Sequence, residues 1–425
     1  MKDIAEKSLF DIPGGWKTLL WILVLLGIGM FIAGLMTGGE ESVVRTWQAF
    51  LINTVFWGGI AHAGVIFAVI WQITDAKWGR AFKRLAEACA GFLPISFLMF
   101  MVVFFGSHVL YEWTHTPFLH HGEAVKQGWL NLPFFISRNV FWLLLIYGIS
   151  YWFVKTSIKP DIALARRLIG SDWGGKFADW VLEDYGEHET EVIRLEKLSR
   201  KIAPVLAFVY SIGGSFLAWD FVMTLDQTWF STLFGVFVMI GNMHAFLGLM
   251  LVVAVTVRQK FGIEEYISIN RLHDLAKMTF AFSLLWTYMG YSQYIVIWYA
   301  DLPEETPYLI IRSMNAPWNT LFLVIILWVF VSVFLGLLPR TLCRMPNYIR
   351  LMGIWVMLGQ LLSVYIMVVP SLQHDGHYHI FMGMHELLIT LGFVGAFFLC
   401  YLAFLGKLPI LPISDKHLCR TWHGH

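Results

Sequence analysis

The chain has 425 residues, 58% of them hydrophobic and 14% charged, with a net charge of +1 at neutral pH. A mean hydropathy of +0.65 excludes an ordinary soluble domain and fits a polytopic membrane protein, because each helix needs about 20 apolar residues to cross. The near-neutral balance gives no sign of a nucleic-acid partner.

Ten segments meet the length requirement, and they predict an all-α membrane fold. In chain order they are Lys17–Met36, Trp47–Thr74, Leu85–Tyr111, Pro133–Val154, Ile202–Leu225, Phe230–Val257, Leu272–Tyr299, Pro317–Leu338, Ile349–Val369 and Met384–Leu405. The first is preceded by Asp3, Glu6 and Asp11 and lacks a small-residue cleavage site, so a membrane span is expected there rather than a signal peptide.

All but four of the 30 Lys and Arg residues fall on one side of this arrangement. The exceptions are Arg45, Lys126, Arg138 and Arg312. Basic residues mark the cytoplasmic side, so both termini are expected there, as an even number of spans requires.

The spans are expected to form two four-helix bundles with flanking helices in a single membrane domain, 1–425. The entries NLPFF (131–135) and NAPW (315–318) precede the fourth and eighth spans and hint at pseudo-repeats over 47–225 and 230–369. The long connector 158–200 carries Arg166 and Arg167, then Glu183, Asp184, Glu187, Glu189 and Glu191. It reads as a solvated linker or as surface helices against a partner.

Asp220 is the one carboxylate more than a turn inside a predicted span. An ionisable group in hydrocarbon costs several kcal/mol and marks a functional position by default. Its depth is roughly 7 Å from the outer end of its helix, at 1.5 Å per residue. Proton exchange is one role; a packing carboxylate capped by a neighbouring Tyr, His or Arg is the other. His108 and Glu112 lie at similar depth, spaced to share a helix face. They would accept the two protons of a quinol, or simply belong to an interfacial Tyr–Trp belt.

His62 and His244 fall near the centres of the second and sixth spans. They suit a proton path, axial ligation of one b-type haem, or internal hydrogen bonding. Tyr288 and Tyr291 stand in a hydroxyl-rich seventh span that would pack or guide protons. Asp301 and Glu304 sit in the following outer turn, as a proton exit, a docking edge or a solvated loop. Two outer loops are rich in histidine, with His115, His120 and His121 in one and His374, His377 and His379 in the other. Such spacing admits a metal, but loops of this kind more often cover an interface, and no metal is assigned.

Cys89, Cys343, Cys400 and Cys419 are far apart in sequence. No haem-attachment or iron–sulfur spacing, P-loop or dinucleotide turn is present. The chain is therefore expected to bind no redox cofactor of its own.

Four stretches carry a resemblance: WLNLPFFISR (129–138), LAWDFVMTLDQTWFSTLFG (217–235), HDLAK (273–277) and YSQYIVIWYADLPEET (291–306). Together they resemble the membrane subunits of alternative complex III, a bacterial quinol:electron-acceptor oxidoreductase, within the NrfD/polysulfide-reductase membrane-subunit superfamily. The length and short N-terminus are more similar to the F-type subunit than to the quinol-binding C-type. The resemblance implies a non-redox subunit in a bacterial plasma membrane, contributing to proton translocation and to a quinone pocket near His108 and Asp220. It implies partners that hold the haems and iron–sulfur clusters: a multihaem cytochrome, an iron–sulfur protein and a homologous NrfD-like subunit. Asp220 matches the acidic position of the family's Trp/Phe-Asp-Trp word, and His108 its outer-face histidine. Gln227 and Thr228 replace the family's Pro-His before Trp229 and Phe230, removing one histidine beside Asp226. The C-type role and a secondary transporter are the alternative functions.

Overall fold

The computed structural model describes residues 13–37, 39–115, 127–170, 172–373 and 379–415. They are helical, with no strand among them. This is what hydrocarbon requires, since a helix satisfies its own backbone N–H and C=O groups where no water can. Ten long helices carry the fold. They are α1 (Gly14–Thr37), α2 (Glu40–Ile73), α3 (Lys77–Phe105), α4 (Leu132–Ile169), α5 (His188–Phe221), α6 (Phe234–Phe261), α7 (Ile269–Ala300), α8 (Trp318–Leu337), α9 (Pro346–Val368) and α10 (Met384–Leu405).

Among the described residues, nine of these are long and apolar enough to cross a membrane, and α7 is the exception. Its 32 residues are diluted by Ser283, Thr287, Ser292, Gln293 and four tyrosines. Its contacts nevertheless follow α6 and α8 from end to end. Gln293 accepts a hydrogen bond from Ser231 before α6, and Trp286 stacks on Phe237 at its start. Ser283 donates to the Val329 carbonyl in mid-α8, and Phe280 packs on Phe334. A helix of this length spans about 48 Å, so α7 traverses the same thickness as its neighbours.

Helices α2, α3, α4 and α5 pack as one group, and α6, α7, α8 and α9 as another, joined where α6 meets α2 and α5. The outermost helix α1 pairs with α10. α2 lies at the centre: its run from Thr46 to Val69 is buried throughout.

Several predicted bounds shift. The third span breaks at Gly106, where a Cβ would sit 2.4 Å from the Trp47 ring. The connector 158–200 is largely a continuation of α4 and α5, with the short helix Gly175–Leu182 between them. α4 therefore begins at an Asn131 cap, whose Oδ1 accepts the Phe134 N–H at 3.0 Å, and runs for 38 residues.

Candidate functional site: buried charge at both ends of one helix

Arg138 lies early in α4 and Asp220 in the last turn of α5. Arg138 Nε donates to Asp220 Oδ2 at 2.6 Å, and Nη2 donates to Oδ1 at 2.7 Å. Asn139 Nδ2 adds a third bond to Oδ2 at 2.8 Å. The remaining guanidinium nitrogen caps the Trp129 carbonyl at 2.7 Å. The cation lies over the Trp129 ring at 4.1 Å. The carboxylate has no exposed surface. Charge-assisted bidentate geometry of this kind fixes two helices against each other. Asp220 is thus paired, with an arginine in the capping role.

The quinol-accepting trio predicted around it is not assembled. The helix bearing His108 stops at Leu110, Tyr111 is extended, and Glu112 opens a separate 3-10 turn. The shared helix face expected for His108 and Glu112 is broken, because the extended Tyr111 separates them. His108 is exposed. It is Tyr111 that reaches the neighbourhood, donating to the Phe221 carbonyl at 3.2 Å.

The other end of α4 holds a second buried cluster. Arg84 Nε donates to Asp161 Oδ2 at 2.6 Å, and Nη2 donates to the Ser157 carbonyl at 2.8 Å. Nη1 bonds both Glu87 and Ser157 Oγ. The Ser414 N–H caps Asp161 Oδ1 at 2.7 Å. Glu87 and Asp161 are fully buried, and Glu87 Oε1 has no partner. These two carboxylates join Asp220 inside the helices. The expectation that Asp220 is alone in depth fails because α3 and α4 run further toward this basic end than hydropathy indicates.

Buried polar side chains lie along the face of α4 between the clusters, interrupted by the buried Leu143 and Val154. Asn139, Tyr147, Ser150, Ser157 and Asp161 are all buried, and at 3.6 residues per turn they fall within about 80° on the α4 circumference. They cover about 33 Å along the axis at 1.5 Å per residue, close to the hydrocarbon thickness of about 30 Å. Tyr147 OH shares a hydrogen bond with Ser96 Oγ at 2.9 Å, and Tyr151 OH donates to the Ala90 carbonyl at 2.8 Å.

The His62 ring stands edge-on to Tyr147, with centroids 4.7 Å apart, and faces Tyr210 at 6.0 Å. Its Nε2 has no partner. Beside it lies a cavity of about 40 Å3 bounded by Gly59, Tyr210, Gly214 and Asn242. That space is large enough to admit water. Phe100 and Phe221, 4.7 Å apart, wall it off near Asp220. His244 turns instead to the second helix group, its Nδ1 bonded to Gln360 Nε2 at 2.9 Å. The two histidines therefore face different helix groups, and the cavity beside His62 is far too small for a porphyrin. The haem alternative does not fit these residues.

The remaining candidates lie outside the interior. Tyr288 and Tyr291 are 62% and 60% exposed on α7, and Asp301 and Glu304 are exposed beyond its end. The Gln227–Phe230 segment forms a turn in which Asp226 Oδ1 accepts the Thr228 and Trp229 N–H groups. Trp229 stacks on Tyr308 at 3.7 Å, and Arg312 covers the other ring face at 3.4 Å. No group of three or more metal-ligating side chains occurs among the described residues. His120, His121, His374 and His377 lie outside the described residues.

Arg138 and Arg84 are the site residues that sequence reasoning passed over. Both were visible as basic residues at span edges, but their partners Asp220 and Asp161 lie 82 and 77 residues away. No protein-family model matches the chain, and a search of curated proteins finds no significant match.

Proposed function

We propose that this chain is a non-redox membrane subunit of a quinol-oxidising complex, similar to the F-type subunit of alternative complex III, and that it supplies a proton path. What carries the reading is the buried polar face of α4, which runs between two buried charge clusters at opposite ends of the bundle. Protons would enter at the basic end through the Arg84–Glu87–Asp161 cluster. They would pass the hydroxyls of Ser157, Ser150 and Tyr147 to water beside His62. Phe100 and Phe221 separate that water from Asp220, so the path is a half-channel whose outer end is held closed by the Arg138 pair. Haems and iron–sulfur clusters would sit in partner subunits. Affinity purification of the chain from its native membrane tests the assignment. A multihaem cytochrome and an iron–sulfur protein should co-purify, and their absence would exclude the complex.

A quinone pocket is supported at a different place from the one near His108 and Asp220. A cavity of about 440 Å3 opens between α2, α9 and α10, lined by Arg45, Asn53, Tyr365, Phe381 and Glu386. Arg45 and Glu386 pair at 2.7 Å, and the buried Asn53 Oδ1 lacks a donor that a quinol hydroxyl would provide. Displacement of a photoreactive quinone by Asn53→Leu tests it; undiminished labelling there would exclude the pocket.

A further inference from the structure

We propose that the groove between α1, α10 and α3 is a binding site for one anionic phospholipid, with its phosphate between Lys17 and Lys407. The inference is independent of the proton-path reading. The groove encloses about 710 Å3 and is walled by apolar side chains, among them Trp21, Phe31, Phe393 and Met99. Its origin lies in how α1 and α10 meet. A Cβ on Gly27 would sit 2.5 Å from Gly392 Cα, and one on Gly395 would sit 2.7 Å from the Leu20 carbonyl. Such contact between small residues brings backbones together without side chains to fill the flanks.

At the basic end this apolar groove terminates in two ammonium groups. Lys17 stands one turn into α1 and Lys407 just beyond α10, and both are exposed and line the groove. Neither forms an ion pair among the described residues; the Lys407 ammonium lies 5.1 Å from the Phe177 ring. A groove that is apolar along its length and cationic only at its mouth complements a molecule with the opposite layout. That molecule has hydrocarbon chains and a single anionic head. Basic pockets between helices on the positively charged side bind anionic head groups by this means. A zwitterionic lipid fills the apolar part equally well but gains less from the two lysines, so the head group decides the preference.

Native mass spectrometry of the full chain tests this, with phosphatidylglycerol and phosphatidylcholine of identical acyl chains as probes. One phosphatidylglycerol should be retained in preference to phosphatidylcholine. Lys17→Gln or Lys407→Gln should weaken retention about fivefold each and the double variant about 30-fold. Lys407→Arg should restore it. Both lysines are exposed, so these variants keep the fold, and Ala403→Phe provides a second test by obstructing the groove at an exposed wall position. Equal retention of the two lipids, no retained lipid, or a double variant that binds like the native chain would overturn the proposal.

Discussion

Arg138 and Asp220 hold each other through two parallel hydrogen bonds of 2.6 and 2.7 Å inside the helix bundle, with Asp220 fully buried. The pairing changes what Asp220 can do. A carboxylate clamped by a guanidinium and an amide is a fixed acceptor, and it releases its partner only if the arginine moves. The pair therefore fixes α4 against α5 at this end of the bundle, while Glu87 Oε1, at the opposite end of α4, and His62 Nε2, on α2, have no partner.

Removing one member of such a pair leaves an uncompensated buried charge. Arg138→Leu should destabilise the protein by about 3–5 kcal/mol, whereas Arg138→Leu with Asp220→Leu should recover much of that loss. Thermal unfolding in detergent measures both. A double variant less stable than either single variant would mean that the pair is not an isolated unit.

The cluster at the basic end should respond unequally to its members. Arg84→Met strands two carboxylates and should cost about 3–5 kcal/mol. Glu87→Gln leaves Arg84 paired with Asp161 and should cost no more than about 1–3 kcal/mol, the range for one lost buried hydrogen bond. The order of the two melting temperatures checks this, and the reverse order would contradict the reading that Arg84 neutralises both carboxylates.

The α1–α10 contact depends on two glycines. Gly27→Leu places side-chain atoms where the Gly392 backbone lies, 2.5 Å from the first added carbon. Overpacking of this kind costs about 1–3 kcal/mol. α1 should separate from α10 while the two helix groups keep their fold. Cross-linking between cysteines placed at Val24 and Ala396 reports this directly: the double-cysteine chain that keeps Gly27 should cross-link, and the same chain with Gly27→Leu should not.

The helices were legible in the sequence because apolar length is a one-dimensional property. Even α7 was recognisable, since its polar residues are spread among aromatics. The clusters were not legible. Asp161 lies beyond the apolar part of α4, so it reads as a connector residue, although the helix continues through it. Arg138 reads as a membrane-edge anchor, and only tertiary packing brings it to a carboxylate 82 residues away. His108 and Glu112 are kept apart for a local reason: the helix that their spacing presumes ends at Leu110, and Tyr111 between them is extended. Tyr288 and Tyr291 show the limit of reading hydroxyls, because composition does not say which side of α7 faces inward.

The central claim is that protons follow the buried face of α4. Tyr147→Phe with Ser150→Ala removes two hydroxyls from that face while keeping the tyrosine ring and the surrounding packing, at a stability cost of about 1 kcal/mol per lost hydrogen bond. The decisive measurement is the proton-to-electron ratio of quinol oxidation in sealed membrane vesicles carrying the double variant. The ratio should fall while electron transfer continues; an unchanged ratio at normal electron flux would contradict the account.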